Sequence, residues 1–313
     1  MSNTLSKYFK QFWNFCVERP ILFSIMFAVH LYINNLLISK YIIIDKFTLM
    51  SIRFFISLLV LIPFFQEYNI KTIISSPCLS LHIARACSSV IIVASTYYAY
   101  QSLPLSIGSA VGMSEPLFVG LITIFKGHKL SLQRWISLIA GYIGLIMISN
   151  IFFKPIELHS NFTVPIIVFL GANSLCALMG FLIQDIRAIE NEAKTENRLI
   201  DTRLLFLNHI VIIIGSLICR QILIFNEISV NAFSDLWLCF DKIILLSVSG
   251  AIGSILIINT FRYLHPTTHA LCQNIRSAAA ILTGILFFNE PITTLQLTGC
   301  VILLLSIFSL KRK

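Results

Sequence analysis

Charge is scarce in this chain, and acid scarcer still. Of 313 residues only 12% are charged, 14 of them Asp or Glu, while 57% belong to the apolar set. An ordinary soluble domain carries about twice that charged fraction, so a water-soluble enzyme is excluded. Cysteines at metal or redox spacing are also missing. The eight cysteines, Cys16, Cys78, Cys87, Cys176, Cys219, Cys239, Cys272 and Cys300, contain no CxxC and read as small core residues. The chain has no HExxH, no GxSxG and no Walker A loop, so zinc hydrolysis, a Ser nucleophile elbow and nucleotide-driven pumping all lack their sequence basis. No small-x-small cleavage site follows the basic residues Lys7, Lys10 and Arg19. The first apolar run is therefore read as a retained span.

What the chain has in quantity is apolar runs of bilayer length, about 20 residues each. Ten are expected, at 20–38, 47–65, 82–101, 105–125, 132–150, 164–183, 203–224, 243–263, 266–288 and 292–310. The predicted fold class is an all-α integral membrane protein of ten transmembrane helices. Its parts are an N-terminal segment (1–19), a first five-helix unit (20–150) and a second (164–310), with a charged loop at 184–202 between their helices.

The basic excess, 23 Lys and Arg and a net charge of +9, would in a soluble protein suggest nucleic acid. Here it sorts by side. With both termini inside, Lys40, Lys46, Lys154, Arg220 and Lys242 fall outside, Arg53, Arg85 and Arg276 fall within spans, and the other fifteen are cytoplasmic. Cytoplasmic loops are enriched in Lys and Arg, so both termini are expected in the cytoplasm and no nucleic-acid partner is implied. Tyr41, Tyr68, Trp135 and Trp237 lie at span ends, as interfacial aromatics do.

Residues 102–150 resemble residues 263–310: each has a short turn, a span, a polar corner and a closing span of Leu and Ile around small residues. The corners are Lys126-Gly127-His128-Lys129 and Asn289-Glu290-Pro291. A unit of five spans is odd, so the second copy enters from the opposite side, and the halves are expected to be inverted repeats with a substrate path between them near mid-bilayer.

These features, with Ile52-Arg53-Phe54-Phe55, His82-Ile83-Ala84-Arg85, Pro116-Leu117-Phe118 and Asn289-Glu290-Pro291 followed by Gly299, make the chain similar to the EamA-type ten-span carriers of the drug/metabolite transporter superfamily. Within it, IRFFISLLVLIPF, HIARA and EPLFVGLITIF resemble the S-adenosylmethionine uptake carriers of intracellular bacteria. His128-Lys129 and Arg276-Ser277 depart from the family pattern. The resemblance implies a multi-pass protein of the bacterial inner membrane that works as a secondary transporter of a small polar metabolite, with S-adenosylmethionine as the specific candidate. An amino-acid or drug exporter of the same family is the alternative, and a membrane-embedded enzyme the distant one. No cofactor is implied; the partners are membrane lipid and a small-molecule substrate. Proton coupling and exchange against a counter-metabolite are both open.

Two charges carry the site expectation. Glu115 lies ten residues from either end of its span, about 15 Å deep at 1.5 Å per residue, and Arg276 lies comparably deep. A charge there costs about 2.5–3.5 kcal/mol, so it persists mainly where it faces protein or water and has a function. The pair suits a zwitterion: Glu115 for its cation, Arg276 for its carboxylate. The bland reading is an ion pair pinning the two halves together. His269, Gln273 and Arg276 share one helical face, with Asn274 beside them. Tyr97, Tyr98 and Tyr100, at the outer end of the third span, are read as interfacial, with stacking on a ring-bearing substrate as the alternative for Tyr97. Pro116 is expected to kink its span and free the Gly112 carbonyl. Arg53 and Arg85 are read as anchors whose stems snorkel to the interfaces.

Overall fold

In a computed structural model, residues 20–42, 44–65, 68–127, 132–149, 160–225, 237–290 and 292–310 are described. The N-terminal segment 1–19, the His128-Lys129 corner and the side chain of Asn274 lie outside what is described. The described residues form twelve helices: α1 (Pro20–Lys40), α2 (Lys46–Phe65), α3 (Ile70–Ile74), α4 (Leu79–Ser102), α5 (Leu105–Gly112), α6 (Glu115–Phe125), α7 (Leu132–Ser149), α8 (Ser160–Glu192), α9 (Asn197–Phe225), α10 (Phe240–Tyr263), α11 (Pro266–Phe288) and α12 (Thr294–Leu310). Seven helical stretches, counting α5 and α6 together, are long and apolar enough to cross a membrane, and three shorter apolar helices accompany them.

The surface carries long apolar stripes, while several charged side chains lie inside. Ile136, Ile139, Ile143 and Ile146 make one exposed stripe along α7, and Leu297, Val301 and Leu305 another along α12, while Arg53, Arg85, Glu115, His209 and Arg276 are buried. Water would penalise such a surface severely, whereas lipid tails accept it. Tyr41, Trp135 and Trp237 are exposed at helix ends, as interfacial aromatics should be.

The two halves interleave. Helix α7 lies against α12, α5 against α11 and α2 against α9; α4 contacts α8 and α9, while α10 contacts α1 and α2. Helix α1 also meets α11, and α8 meets α6. Exchanging α1 with α8, α2 with α9, α4 with α10, α5–α6 with α11 and α7 with α12 returns the same set of neighbours. The α7–α12 seam is close: a Cβ on Gly144 would stand 2.7 Å from the Gly299 carbonyl oxygen and 2.9 Å from the Leu303 nitrogen. Only a glycine permits that approach.

Two elements differ from expectation. The stretch 184–202, read as a loop, is mostly helix: α8 runs on to Glu192, and a tight turn with Lys194 at φ 58° leads into α9. Part of its charge is paired across the turn, Arg187 with Asp201 and Glu190 with Arg203 of α9, while Glu192, Lys194, Glu196 and Arg198 are exposed. The Ala, Glu, Lys and Arg that look loop-like by charge are good helix formers.

The fourth span is not simply kinked but interrupted. Between α5 and α6 the amides of Met113 and Ser114 bond three residues back, to Ala110 and Val111, at 3.1 and 3.0 Å. Asn173 of α8 fills the gap, its Nδ2 donating to the Val111 carbonyl (3.1 Å) and to Ser114 Oγ (2.9 Å). The expected Gly112 carbonyl is thus joined by a larger rearrangement one residue earlier, stabilised from another helix.

Candidate functional site

A cavity of about 250 Å³ lies at the centre of the helices. Helices α1, α2, α4, α6, α8, α9, α10 and α11 all contribute to its wall; α7 and α12 contribute no described residue to it. Five of the six expected site residues, Tyr97, Glu115, His269, Gln273 and Arg276, line this one space.

The interruption of the fourth span positions Glu115. It becomes the first residue of α6, where unpaired backbone amides favour a carboxylate. Pro116 at the next position has no amide to donate and fits a helix start without strain. The Cys176 thiol of α8 is within hydrogen-bonding reach of the Glu115 carboxyl. Arg276 comes from the middle of α11, near enough for each charge to act on the other. Among the described residues no ion pair within 4.0 Å joins the two. They therefore line one cavity without forming a closed ion pair.

His269 is held from two sides. Its Nδ1 lies 2.9 Å from Ser24 Oγ of α1, and its ring packs edge-on to Phe261 (4.7 Å between centroids) and tilted on Phe27 (5.6 Å). Gln273 Nε2 donates to the Ser24 carbonyl at 3.3 Å, which leaves its Oε1 without a partner. Ser24 thus fixes the polar face of α11 against α1.

The tyrosines and two arginines overturn expectation. Tyr97 and Tyr100 are buried, not interfacial, and both line the cavity. Tyr100 packs edge-on to Phe169 at 5.4 Å, and a Cβ on Gly108 would come within 3.1 Å of its ring. Arg53 and Arg85 do not snorkel: they are 8% and 4% exposed and line the same cavity. Arg53 donates to the Tyr97 hydroxyl, and Arg85 to the Leu204 carbonyl at 2.6 Å. A position one or two turns inside a helix allows either outcome, and the direction of the side chain decides between them. Asn35 and Asn208 also line the cavity, with Asn35 Nδ2 and Asn208 Oδ1 unpartnered; His30, which bonds Asn34, lines it too. Among these, the sequence signal was an intramembrane Arg with no acid on its own helix to pair with.

Ionic and polar contacts close the two ends of the bundle. At one end Glu290, in the turn between α11 and α12, takes Lys40 Nζ at 2.5 Å and the amides of Leu105 and Ser106 at 2.8 and 2.7 Å. It thereby caps the N-terminus of α5 from the other half. Burial alone would push its carboxyl up, but Lys40, Ser106 and the two amides together hold it below the usual carboxylate range. At the opposite end, Lys126 pairs with Asp185, Arg262 with Asp201 and Arg203 with Glu190. Cys78, His82 and Glu190 bring ligand-type atoms within 4.8 Å there. The Glu190 oxygens already accept from Ser76 and Arg203, with His82 Nε2 at 3.2 Å, so this cluster reads as a structural tie and not as a metal site.

Residues 19–150 match the EamA-like transporter family. A protein of Rickettsia bellii (strain RML369-C) described as an S-adenosylmethionine uptake transporter is 25% identical over 278 residues, 86% of either chain. Its counterpart in Rickettsia conorii (strain ATCC VR-613 / Malish 7) is 26% identical over 278 residues, 86% of this chain and 85% of its own. A solved crystal structure superposes over 94% of this chain and 96% of its own with a TM-score of 0.58; at 11% identity the likeness is one of fold alone.

Proposed function

We propose that the chain, whose residues 19–150 match the EamA-like transporter family, is a secondary carrier of a zwitterionic, amino-acid-bearing metabolite and a multi-pass protein of the bacterial inner membrane. The observation that carries this reading is the unpaired juxtaposition of Glu115 and Arg276 across a central cavity. A buried ion pair contributes little to stability. Two opposite charges held apart can instead each take one end of an amino-acid head group, ammonium at Glu115 and carboxylate at Arg276. Gln273, His269 and Tyr97 complete the site from α11 and α4, and Asn274 is proposed with them. S-adenosylmethionine is the specific candidate: it carries that head group, a sulfonium and a purine ring, and relatives of 25% and 26% identity are described as its uptake transporters.

The proposed architecture is ten spans in two inverted five-helix repeats, with both termini cytoplasmic. The seven long and three shorter apolar helices support the number, and the neighbour set preserved on exchange of the halves supports the repeat. Transport by alternating closure of the two ends follows from that arrangement, with Glu290 at one end and the Lys126, Arg262 and Arg203 pairs at the other. No enzymatic role is proposed, since Glu115 is the one carboxylate lining the cavity among the described residues.

Uptake into proteoliposomes tests the proposal. Labelled S-adenosylmethionine, competed by amino acids and adenine nucleosides, should enter wild-type vesicles, while Glu115→Gln and Arg276→Lys should lower apparent affinity by about tenfold or more. Unchanged rate and affinity in both variants would sink the site. No uptake of labelled S-adenosylmethionine, with uptake of a labelled simple amino acid in its place, would replace the substrate.

A further inference from the structure

The fourth span breaks beside its own charge. Helix α5 ends at Gly112 and α6 begins at Glu115. Pro116 has no amide to donate, which alone kinks a helix. Here the last turn of α5 also tightens, and the Ser114 carbonyl restarts the ladder by accepting from the Leu117 and Phe118 amides at 3.0 and 3.3 Å. Ser114 is thus the N-cap of α6, yet its hydroxyl makes no capping bond to that helix. It accepts instead from Asn173 Nδ2 at 2.9 Å, and the same nitrogen donates to the Val111 carbonyl at 3.1 Å.

One amide group of α8 therefore spans the joint, with one hydrogen on the last turn of α5 and the other on the residue that caps α6. Glu115 follows that residue directly. Asn173, Ser114 and Glu115 are all buried, so these bonds are made away from bulk water, where they are strongest. Asn173 lines the central cavity with Glu115, and α8 packs against both α5 and α6. Arg276 needs no such bridge: α11 is continuous from Pro266 to Phe288, and α1 holds its polar face from outside through Ser24. Of the two charges, the acid is the one whose place along its span is set by another helix.

We infer that Asn173 is a positioning residue for Glu115: its amide sets the offset between the two half-helices, and with it the point at which the carboxyl enters the cavity. It acts through Glu115, so the inference rests on the carrier reading for what that carboxyl does, though not for the bridge itself. A shift of α8 then reaches the substrate's ammonium through this side chain. A displacement of about 1 Å at a binding group can cost as much as a hundredfold, so loss of the two Asn173 bonds should appear in substrate affinity and not only in stability.

Hydrogen exchange of the purified full-length protein in detergent, read by mass spectrometry, tests the bridge without substrate. Amides in the segment 113–118 should exchange about tenfold faster in Asn173→Leu, which keeps the side-chain size and loses both donors, and less so in Ser114→Ala, while those of 266–288 stay unchanged. Equal exchange in wild type and both variants overturns the inference. Uptake of labelled S-adenosylmethionine into proteoliposomes tests the transmission. Asn173→Leu should raise KM about tenfold with the maximal rate close to wild type. That increase should vanish in a Glu115→Gln background, where no carboxylate is left to place. The same fold increase in both backgrounds makes Asn173 a structural residue only and overturns the inference. If Asn173→Leu does not fold, Ser114→Ala carries both comparisons with smaller changes. The two readings fail separately: wild-type uptake by Glu115→Gln discards the substrate site, and no uptake of S-adenosylmethionine by wild type discards the substrate, while the exchange comparison still decides the bridge.

Discussion

Gly253 shows how a single position sets the cavity wall. It faces the His30 ring so closely that a Cβ would collide with Nε2 and its neighbouring carbons, and His30 in turn bonds Asn34, which accepts from Ser249. Gly253→Ala should therefore displace His30 and lower the unfolding midpoint by an amount worth about 1–3 kcal/mol. The double variant Gly253→Ala with His30→Ala should recover most of that loss, since the collision is then gone. A double variant as unstable as the single one would show that the glycine acts on the helix itself. At this scale the sequence was informative about Glu115 and Arg276, because a charge ten residues inside an apolar run has few explanations. It was less so about Arg53, Arg85 and Tyr100. Each lies near a span end, where periodicity allows an interfacial side chain as readily as an inward one, and only packing against α9, α10 and α8 turns them in.

Among the elements, α7 and α12 stand apart. They are the last helix of each half, they pack closely on one another, and no described residue of either lines the cavity. Gly144→Ala would place a methyl group 2.7 Å from the Gly299 carbonyl, and backbone cannot yield as a side-chain tip can. The expected outcome is a lower unfolding midpoint in detergent, by about 1–3 kcal/mol of stability, with substrate affinity in vesicles close to wild type. A loss of affinity matching the loss of stability would mean that the seam communicates with the site. The spans themselves were legible from length and hydropathy, which depend only on local composition. The break between α5 and α6 was not: Pro116 announces a disturbance, but its extent depends on Asn173, 57 residues further on in another helix. The helical extension of α8 past its apolar run was not legible for a similar reason: its Arg187 and Glu190 are neutralised by Asp201 and Arg203 of α9.

For the molecule as a whole, the two closed ends make a prediction about pH. Glu290 joins α1, α5 and the α11–α12 turn, and its carboxyl is held below the usual 4.5, burial opposing and Lys40 with the Leu105 and Ser106 amides prevailing. A depressed folded-state value means that the ionised group stabilises the fold above the unfolded value and that this contribution is lost as pH falls through the lower, folded one. Unfolding midpoints recorded from neutral pH downward should thus fall more steeply for wild type than for Glu290→Gln below about pH 4.5, and the variant should be the less stable of the two at neutral pH. Parallel curves would mean that the contact contributes nothing to closing that end.

The sequence alone determined that this chain lives in a membrane, roughly where its helices run, and that two deep charges needed a reason. Each follows from the cost of placing a given side chain in hydrocarbon, a property of the residue and its near neighbours. Only the tertiary structure decided that Glu115 and Arg276 face one cavity without touching, that Arg53 and Arg85 join them, and that Glu290 caps a helix of the opposite half. Those outcomes depend on which helices become neighbours across more than 100 residues, and on the directions that packing leaves for a side chain whose position along the helix is already known.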